Sequence, residues 1–299
     1  MKLISAALTV VVGLTLAGCG SQSDAATGTT RLAVVATTPE VADFVRNVGG
    51  DRVTVTQIIK PNVDPHDYEP TPADIKAIGE AAVVVKNGVG LEEWLDRTIE
   101  SAGFKGAVVD SSQGVTLREE GDEHDPHIWH DPRNAKIMVA NIEKGLAAAA
   151  SGDAATFTTN LTAYTAELDA LDAANAAAFA KITNRKLVTN HDAFGYYVAR
   201  YDLEFVGSVI PSLDTSAELS AQQLTDLVNK IKATGAKAIF AESSLPAKSA
   251  EAIAQQAGVK VVAGEDALYG DSLGADGTPQ GTYLGAEEHN TRVIVEALS

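Results

Sequence analysis

Eight short apolar runs, rich in β-branched residues, divide this 299-residue chain into two similar halves. Four runs begin before residue 112 and four after residue 185, and helical patterns separate them. Strand–helix alternation of this kind is typical of parallel sheets with helices on both faces. The sequence therefore predicts an α/β fold with two lobes, each a parallel four-stranded sheet flanked by helices. The runs begin at Arg31, Val53, Ala82, Ala107, Lys186, Glu204, Lys237 and Val259.

A stretch without glycine or proline lies between the two sets of runs, from about Asp153 to Ile182. Its large apolar residues recur mainly at steps of three and four, which predicts one helix with a continuous apolar face. At 1.5 Å per residue, 30 residues would extend about 45 Å, enough to follow both lobes. We expect a rigid backbone helix at 153–183 that joins an N-terminal lobe at 31–152 to a C-terminal lobe at 184–299.

The first residues have the pattern of an export signal. Lys2 precedes an apolar core, Leu8 to Leu16, that is too short to cross a bilayer as a permanent helix. The core ends in Leu-Ala-Gly-Cys, which resembles a bacterial lipobox with a lipid-modified Cys19. We therefore predict a signal peptide at 1–18 and a lipidated flexible tether at 19–30. The protein would be exported and lipid-anchored to the outer face of the cytoplasmic membrane.

The chain is strongly acidic, with a formal net charge of −17. Such a surface repels the phosphates of nucleic acids and the headgroups of anionic lipids. We therefore expect no nucleic-acid partner, and we expect membrane contact through the lipid anchor alone. Cys19 is the single cysteine, so the chain has no disulfide framework.

Histidine is scarce, at six residues, and three of the six lie in distinctive segments. His66 lies in PHDYEP, His127 in DPHIWHDP and His191 in TNHDAFGYY, while Asp271 lies in LYGDSLG near the end. Imidazole nitrogen is a common ligand of divalent transition metals, and one carboxylate completes a four-ligand shell. Each of the four follows a predicted strand, and parallel strands bind ligands at their carboxyl ends. The pattern predicts a metal site with two ligands from each lobe.

These segments occur together in the order of a known family. The lipobox, PHDYEPTPAD, DPHIWHDP, the long helix, LVTNHDAFGYY, IFAESSLP and LYGDSLG resemble the cluster A-I solute-binding proteins, the zinc, manganese and iron lipoproteins of ABC importers. The resemblance covers nearly all of the chain after residue 30. It implies one divalent metal between two lobes, with His66, His127, His191 and Asp271 as ligands. It also implies the permease and ATPase subunits of a metal importer as partners, and we expect a monomer.

Four further residues have alternative interpretations. His130 could form a two-ligand pair with His127, but the family pattern usually has another residue there, which favours a surface or supporting role. Glu242, in FAESS, could hold a ligand imidazole by accepting its second N–H, or it could cap the next helix. His124 lies in a short acidic segment that we interpret as a solvated loop. His289 is interpreted as structural or as a support for a ligand.

We therefore interpret the chain as a substrate-binding lipoprotein and not as an enzyme. Three imidazoles favour zinc over manganese as the bound ion, by ligand softness and the affinity series. The alternative hypotheses are a zinc-dependent hydrolase, with Glu242 as its general base, and an adhesin that a metal stabilises. A fourth protein ligand at Asp271 argues against the hydrolase, because catalytic zinc keeps an open position for water.

Overall fold

The computed structural model describes residues 31–121 and 123–299. The predicted signal peptide, the lipidated Cys19 and the tether lie outside these residues. Arg31–Ser299 form one compact unit, and the lobe boundaries given above stay predictions. No helix in the described part of the chain is long and apolar enough to cross a membrane.

The first half contains a four-stranded parallel sheet built from the first four predicted runs. Its strands are β1 Leu32–Ala36, β2 Val53–Gln57, β3 Val83–Lys86 and β4 Ala107–Asp110. Their order is β2-β1-β3-β4, and every neighbouring pair is parallel. The strand order reverses between β1 and β3, and a crevice forms beyond the carboxyl ends of strands at such a reversal.

The second half repeats this topology. A short antiparallel hairpin that the sequence did not predict comes first, with β5 Glu119–Glu120 and β6 Glu123–His124. The four main strands are β7 Lys186–Thr189, β8 Glu204–Ser208, β9 Ala238–Phe240 and β10 Lys260–Val262. Their order is β10-β9-β7-β8, again parallel throughout. The predicted fold class, two parallel four-stranded sheets flanked by helices, is confirmed.

Helices connect the strands, and several begin where the sequence indicated. Thr71 and Asp74 form a reciprocal capping box at the start of α2, and Asp131 caps α4 ahead of Pro132. The helices are α1 Pro39–Gly49, α2 Pro72–Glu80, α3 Leu95–Ala102, α4 Pro132–Ala149, α5 Ala154–Phe179, α6 Gly195–Tyr201, α7 Ala221–Thr234, α8 Lys248–Ala257 and α9 Tyr283–Leu298.

The long linking helix is α5, with 26 residues, or about 39 Å at 1.5 Å each. It ends at Phe179, and the backbone turns before Ile182. The predicted apolar face is buried, but it includes one polar residue. Asn175 is buried on this face and donates to the Tyr201 hydroxyl at 3.3 Å, which satisfies part of its hydrogen-bonding capacity.

Two helices join the hydrophobic cores of the two halves. The first part of α5 packs in the core of the first sheet, and Phe179 packs in the core of the second. Helix α9 does the same, because Tyr283 at its start lies in the first core while Val293 and Ile294 lie in the second. The halves are therefore braced by a pair of helices, whereas the sequence indicated only one.

Candidate metal centre

The structure brings together the four side chains that the sequence singled out. His66 lies in the loop after β2, His127 between β6 and α4, His191 just after β7 and Asp271 after β10. One potential ligand atom from each lies within 4.8 Å of the others. Residues separated by up to 205 positions in sequence converge because parallel strands in both sheets point their carboxyl ends at the same region.

The distances within the group resemble those around a small ion. His66 Nε2 lies 3.2 Å from His127 Nε2, and Asp271 Oδ1 lies 3.4 Å from His127 Nε2. Asp271 Oδ2 lies 3.5 Å from His66 Nε2 and 3.4 Å from His191 Nδ1. A tetrahedral shell with bonds of about 2.05 Å has edges of about 3.3 Å. These four separations are close to that edge length, which fits a small ion bound among the four side chains.

The buried carboxylate of Asp271 is the strongest indication of a cation site. Its residue is 1% exposed, and neither oxygen has a hydrogen-bond partner among the described residues. Nitrogens of His66, His127 and His191 lie 3.4 to 3.5 Å from these oxygens, so the buried charge depends on a cation held among the three rings. The unpartnered Nδ1 of His191 faces the same point. The donors fit a divalent cation.

Asp125 orients His127 and was missed in the sequence. His127 Nδ1 lies 2.7 Å from Asp125 Oδ1, which also accepts the His127 backbone N–H at 3.0 Å. Arg118 pairs with the other oxygen of Asp125. A proton held on Nδ1 leaves the Nε2 lone pair free to face the group, as in carboxylate–histidine–metal arrangements. The sequence signal was present, since Asp125 lies two residues before His127 in DPH.

His191 is held differently from the arrangement predicted for it. Its Nε2 donates to the Leu213 carbonyl at 3.1 Å, so its second ring N–H does not bond Glu242. Glu242 Oε1 accepts the backbone N–H of His191 at 3.0 Å instead. Glu242 does not cap the next helix either, because α8 follows Ala247 without a side-chain cap. Both contacts direct His191 Nδ1 toward Asp271.

The ionisation of the group follows from its charges. Burial would raise the pKa of Asp271, but His191, His127 and His66 outweigh burial and hold that pKa below its usual 3.8. Burial would lower the pKa of His191, but Asp271 and Glu242 raise it to about 10. Asp271 likewise raises the pKa of His66, whereas burial lowers that of His127. Without metal, His191 is a cation that neutralises Asp271.

His130 is wholly buried and lies outside the group of four, which excludes the surface position and leaves the supporting role of its two interpretations. Its Nδ1 lies 2.8 Å from Glu287 Oε1 of α9. Its ring stacks on Phe194 with centroids 4.5 Å apart. These two neighbours explain the burial, and the sequence could not show them because both are distant along the chain.

The remaining histidines lie where their interpretations placed them. His124 is exposed on the β5–β6 hairpin, and buried His289 lies 3.0 Å, through Nε2, from the Ala267 carbonyl. His124 and His66 both line a cavity of about 460 Å³ at the mouth of the group. The side chain of His66 is 9% exposed while those of the other three group members are 0% exposed. An ion would therefore enter past His66.

Comparison with known proteins identifies relatives over almost the whole chain. Residues 34–297 match the family model described as zinc-uptake complex component A, periplasmic. The manganese-binding lipoprotein MntA of Bacillus subtilis is 32% identical over 293 residues, covering 95% of each chain. The zinc-binding protein TroA of Treponema pallidum is 35% identical over 301 residues, covering 98% of this chain and 96% of that one.

A solved structure shares the fold. The periplasmic zinc-binding protein TroA from Treponema pallidum superposes with a TM-score of 0.84 at 32% identity. The match covers 90% of this chain and 99% of the solved one. Similarity therefore extends from sequence to the arrangement of both sheets.

Proposed function

Because the chain belongs to the zinc-uptake complex component A family, we propose that it captures one divalent transition metal for an ABC importer. It is a metal-binding, substrate-binding protein of the kind that its zinc- and manganese-binding relatives represent. The ion is the transported substrate, and the recipients are a membrane permease and its ATPase. Capture takes place outside the cytoplasmic membrane, where a lipid on Cys19 anchors a monomeric protein.

The observation that carries this proposal is the buried carboxylate of Asp271, which accepts no hydrogen bond within the described residues and faces three imidazole nitrogens. We assign His66, His127, His191 and Asp271 as the metal ligands, two from each lobe. Three neutral imidazoles and one carboxylate around M²⁺ leave a net charge of +1. The desolvation of the ion is thus offset by four ligand bonds in a buried site. Asp125 and Glu242 support this shell by fixing His127 and the backbone of His191.

Zinc is the ion that this shell fits best, with manganese next. The three nitrogens and one oxygen match the ligand preference of zinc, and the separations of 3.2 to 3.5 Å between neighbouring ligand atoms are close to the edge length of its tetrahedral shell. Manganese prefers oxygen ligands and lies below zinc in the affinity series. Protein purified from cells grown with balanced concentrations of zinc and manganese should therefore contain zinc when its mass is measured under native conditions.

Single substitutions test the ligand set. Alanine at any of the four positions should weaken zinc binding by about a hundredfold or more, since one of four bonds is lost. His124→Ala is a matched control, because this imidazole is exposed on the hairpin, and it should change affinity by less than about threefold. Competition with a coloured chelator measures the zinc affinity of the ligand variants and of the control. Loss of binding in His124→Ala with retention in His127→Ala would contradict the assignment.

The two alternative functions find no support. A hydrolase would need an open position on the metal, but the fourth position faces Asp271. The relatives reported above are named as a manganese-binding lipoprotein and a zinc-binding protein, which favours metal capture over adhesion. Growth of a deletion strain on limiting metal, with rescue by added metal, would distinguish transport from adhesion.

A further inference from the structure

The loop that carries His66 is held to the second half of the chain by a side chain outside the group of four. Thr215 donates its hydroxyl hydrogen to Asp64 Oδ2 at 2.6 Å, across 151 positions of sequence. This length is typical of a hydroxyl group bonded to an ionised carboxylate, which is one of the stronger hydrogen bonds in proteins. The other oxygen of Asp64 accepts the backbone N–H of His66 at 2.9 Å. One carboxylate therefore links Thr215 to the backbone of a proposed ligand.

A second hydrogen bond holds the same loop at another point. The backbone N–H of Asn62 donates to Ser272 Oγ at 2.6 Å. Ser272 is buried and directly follows Asp271, so this bond joins the loops of two proposed ligands. Asn62 has a φ of 61°, a left-handed conformation that asparagine adopts more readily than most residues. The loop of His66 is thus fixed to the second half at two points.

Thr215 lies in a segment that also contacts His191. The irregular segment 210–219 connects β8 to α7. The carbonyl of Leu213 in this segment accepts the Nε2 hydrogen of His191 at 3.1 Å, and Leu213 also lines the mouth cavity beside His66. One connection therefore holds His191 directly and His66 through a carboxylate, and it forms part of the wall past which an ion would enter.

Cavities border this segment next to two helices. A cavity of about 480 Å³ lies between Ile210 and Leu219 of the segment and Ile253 of α8. Another of about 330 Å³ lies between Pro211 and Leu227 of α7. Close packing resists displacement, whereas a segment beside open space can shift at a small cost in free energy. Hydrogen bonds are therefore needed to hold this segment against the metal centre.

We propose that Thr215 is a positioning residue of the metal centre, whose bond to Asp64 holds the loop of His66 over the bound ion and slows its release. This inference rests on the proposed function and adds a control of release to it. The side chain of His66 is 9% exposed and those of the other three ligands are 0% exposed, so an ion leaves when this imidazole moves away. Movement of its loop away from the second half breaks the bond to Thr215. Each opening of the site therefore requires the loss of that bond.

The rate of zinc release tests this role. Zinc-loaded protein is mixed with a coloured chelator at concentrations where the rate no longer depends on the chelator. Thr215→Val keeps the shape of the side chain and removes the hydroxyl, so it should release zinc about tenfold faster, the effect of losing one hydrogen bond to a charged group. Thr215→Ser keeps the hydroxyl and should release zinc within about twofold of the wild-type rate.

Thr225→Val is the matched control, because this exposed hydroxyl donates to the Ala221 carbonyl within α7, and it should leave the release rate unchanged. The association rate can be followed by tryptophan fluorescence, since the Trp129 ring lies 5.5 Å from the His127 ring. This rate should not fall in Thr215→Val, because all four ligands remain. Release from Thr215→Val at the control rate, fast release from Thr215→Ser, or slower association would overturn the role of Thr215. If the wild type bound no zinc, the proposed function itself would fail.

Discussion

Acid should release the metal, and His191 should dominate the effect. A histidine binds metal only when the coordinating nitrogen is unprotonated, so metal must displace the proton that His191 carries. The carboxylates of Asp271 and Glu242 raise the pKa of His191 to about 10. Protonation therefore competes with metal at every pH below 10, and affinity is lost as pH falls.

The size of the loss follows from the three histidines. Between pH 7.5 and 5.5 His191 remains protonated in the free protein. Its proton therefore lowers metal affinity tenfold per pH unit, which is a hundredfold, or about 2.7 kcal/mol, over this range. The pKa of His66 is raised above 6.5, so this residue adds between about tenfold and a hundredfold. Burial lowers the pKa of His127, which adds little. We expect a total loss between about a thousandfold and ten-thousandfold.

Metal affinity between pH 7.5 and 8.5 distinguishes a site with a raised His191 pKa from one whose histidines have ordinary pKa values. Three histidines with pKa values near 6.5 would change affinity by less than about twofold between pH 7.5 and 8.5. The raised pKa of His191 instead predicts a tenfold gain there, with about one proton released per ion. Calorimetry at pH 8 in two buffers of different ionisation heat would measure that proton. Release of less than half a proton would refute the charged state assigned to His191.

Three other outcomes are expected. Asp125→Ala should weaken zinc binding by about ten- to a hundredfold in chelator competition, because His127 loses its orienting contact, while Asp172→Ala, whose carboxylate pairs with Arg200, should not. Cys19→Ala should abolish partitioning into detergent and leave metal affinity unchanged; equal partitioning of both forms would contradict the lipid anchor. Zinc at about a thousand times its Kd should stabilise the fold by about 4 kcal/mol, seen as a rise in Tm that a chelator reverses.

Local sequence patterns predicted the elements well and their contacts less well. The eight strands of the two four-stranded sheets lie within the apolar runs, because β-branched residues favour buried strands. Helix starts at Pro72 and Pro132 were visible because a cap is a contact between neighbours in sequence. The β5–β6 hairpin was missed, since two-residue strands of charged residues have no apolar alternation to detect.

The sequence identified the proposed ligands for a different reason. It did not identify the contacts of the residues around them. His66, His127, His191 and Asp271 stand in segments whose residue types differ from their surroundings. The contacts of Glu242 and His130 depend instead on residues from other elements, such as the backbone of His191 and Glu287 of α9. No short-range pattern encodes such contacts. The segment FAESS indicated a supporting role for Glu242, but its hydrogen bond to the His191 backbone depends on the three-dimensional fold.

The electrostatics of the group explain how the site can stay assembled without metal. Asp271 is wholly buried and needs a positive charge close by in every state of the protein. In the free protein the proton on His191 supplies that charge, and it stabilises the fold below pH 6.5 and ceases to do so as pH rises through about 10. When metal binds, the ion replaces the proton. Metal uptake is therefore an exchange of one cation for another beside Asp271, which lets a buried site fill and empty without an isolated charge at any stage.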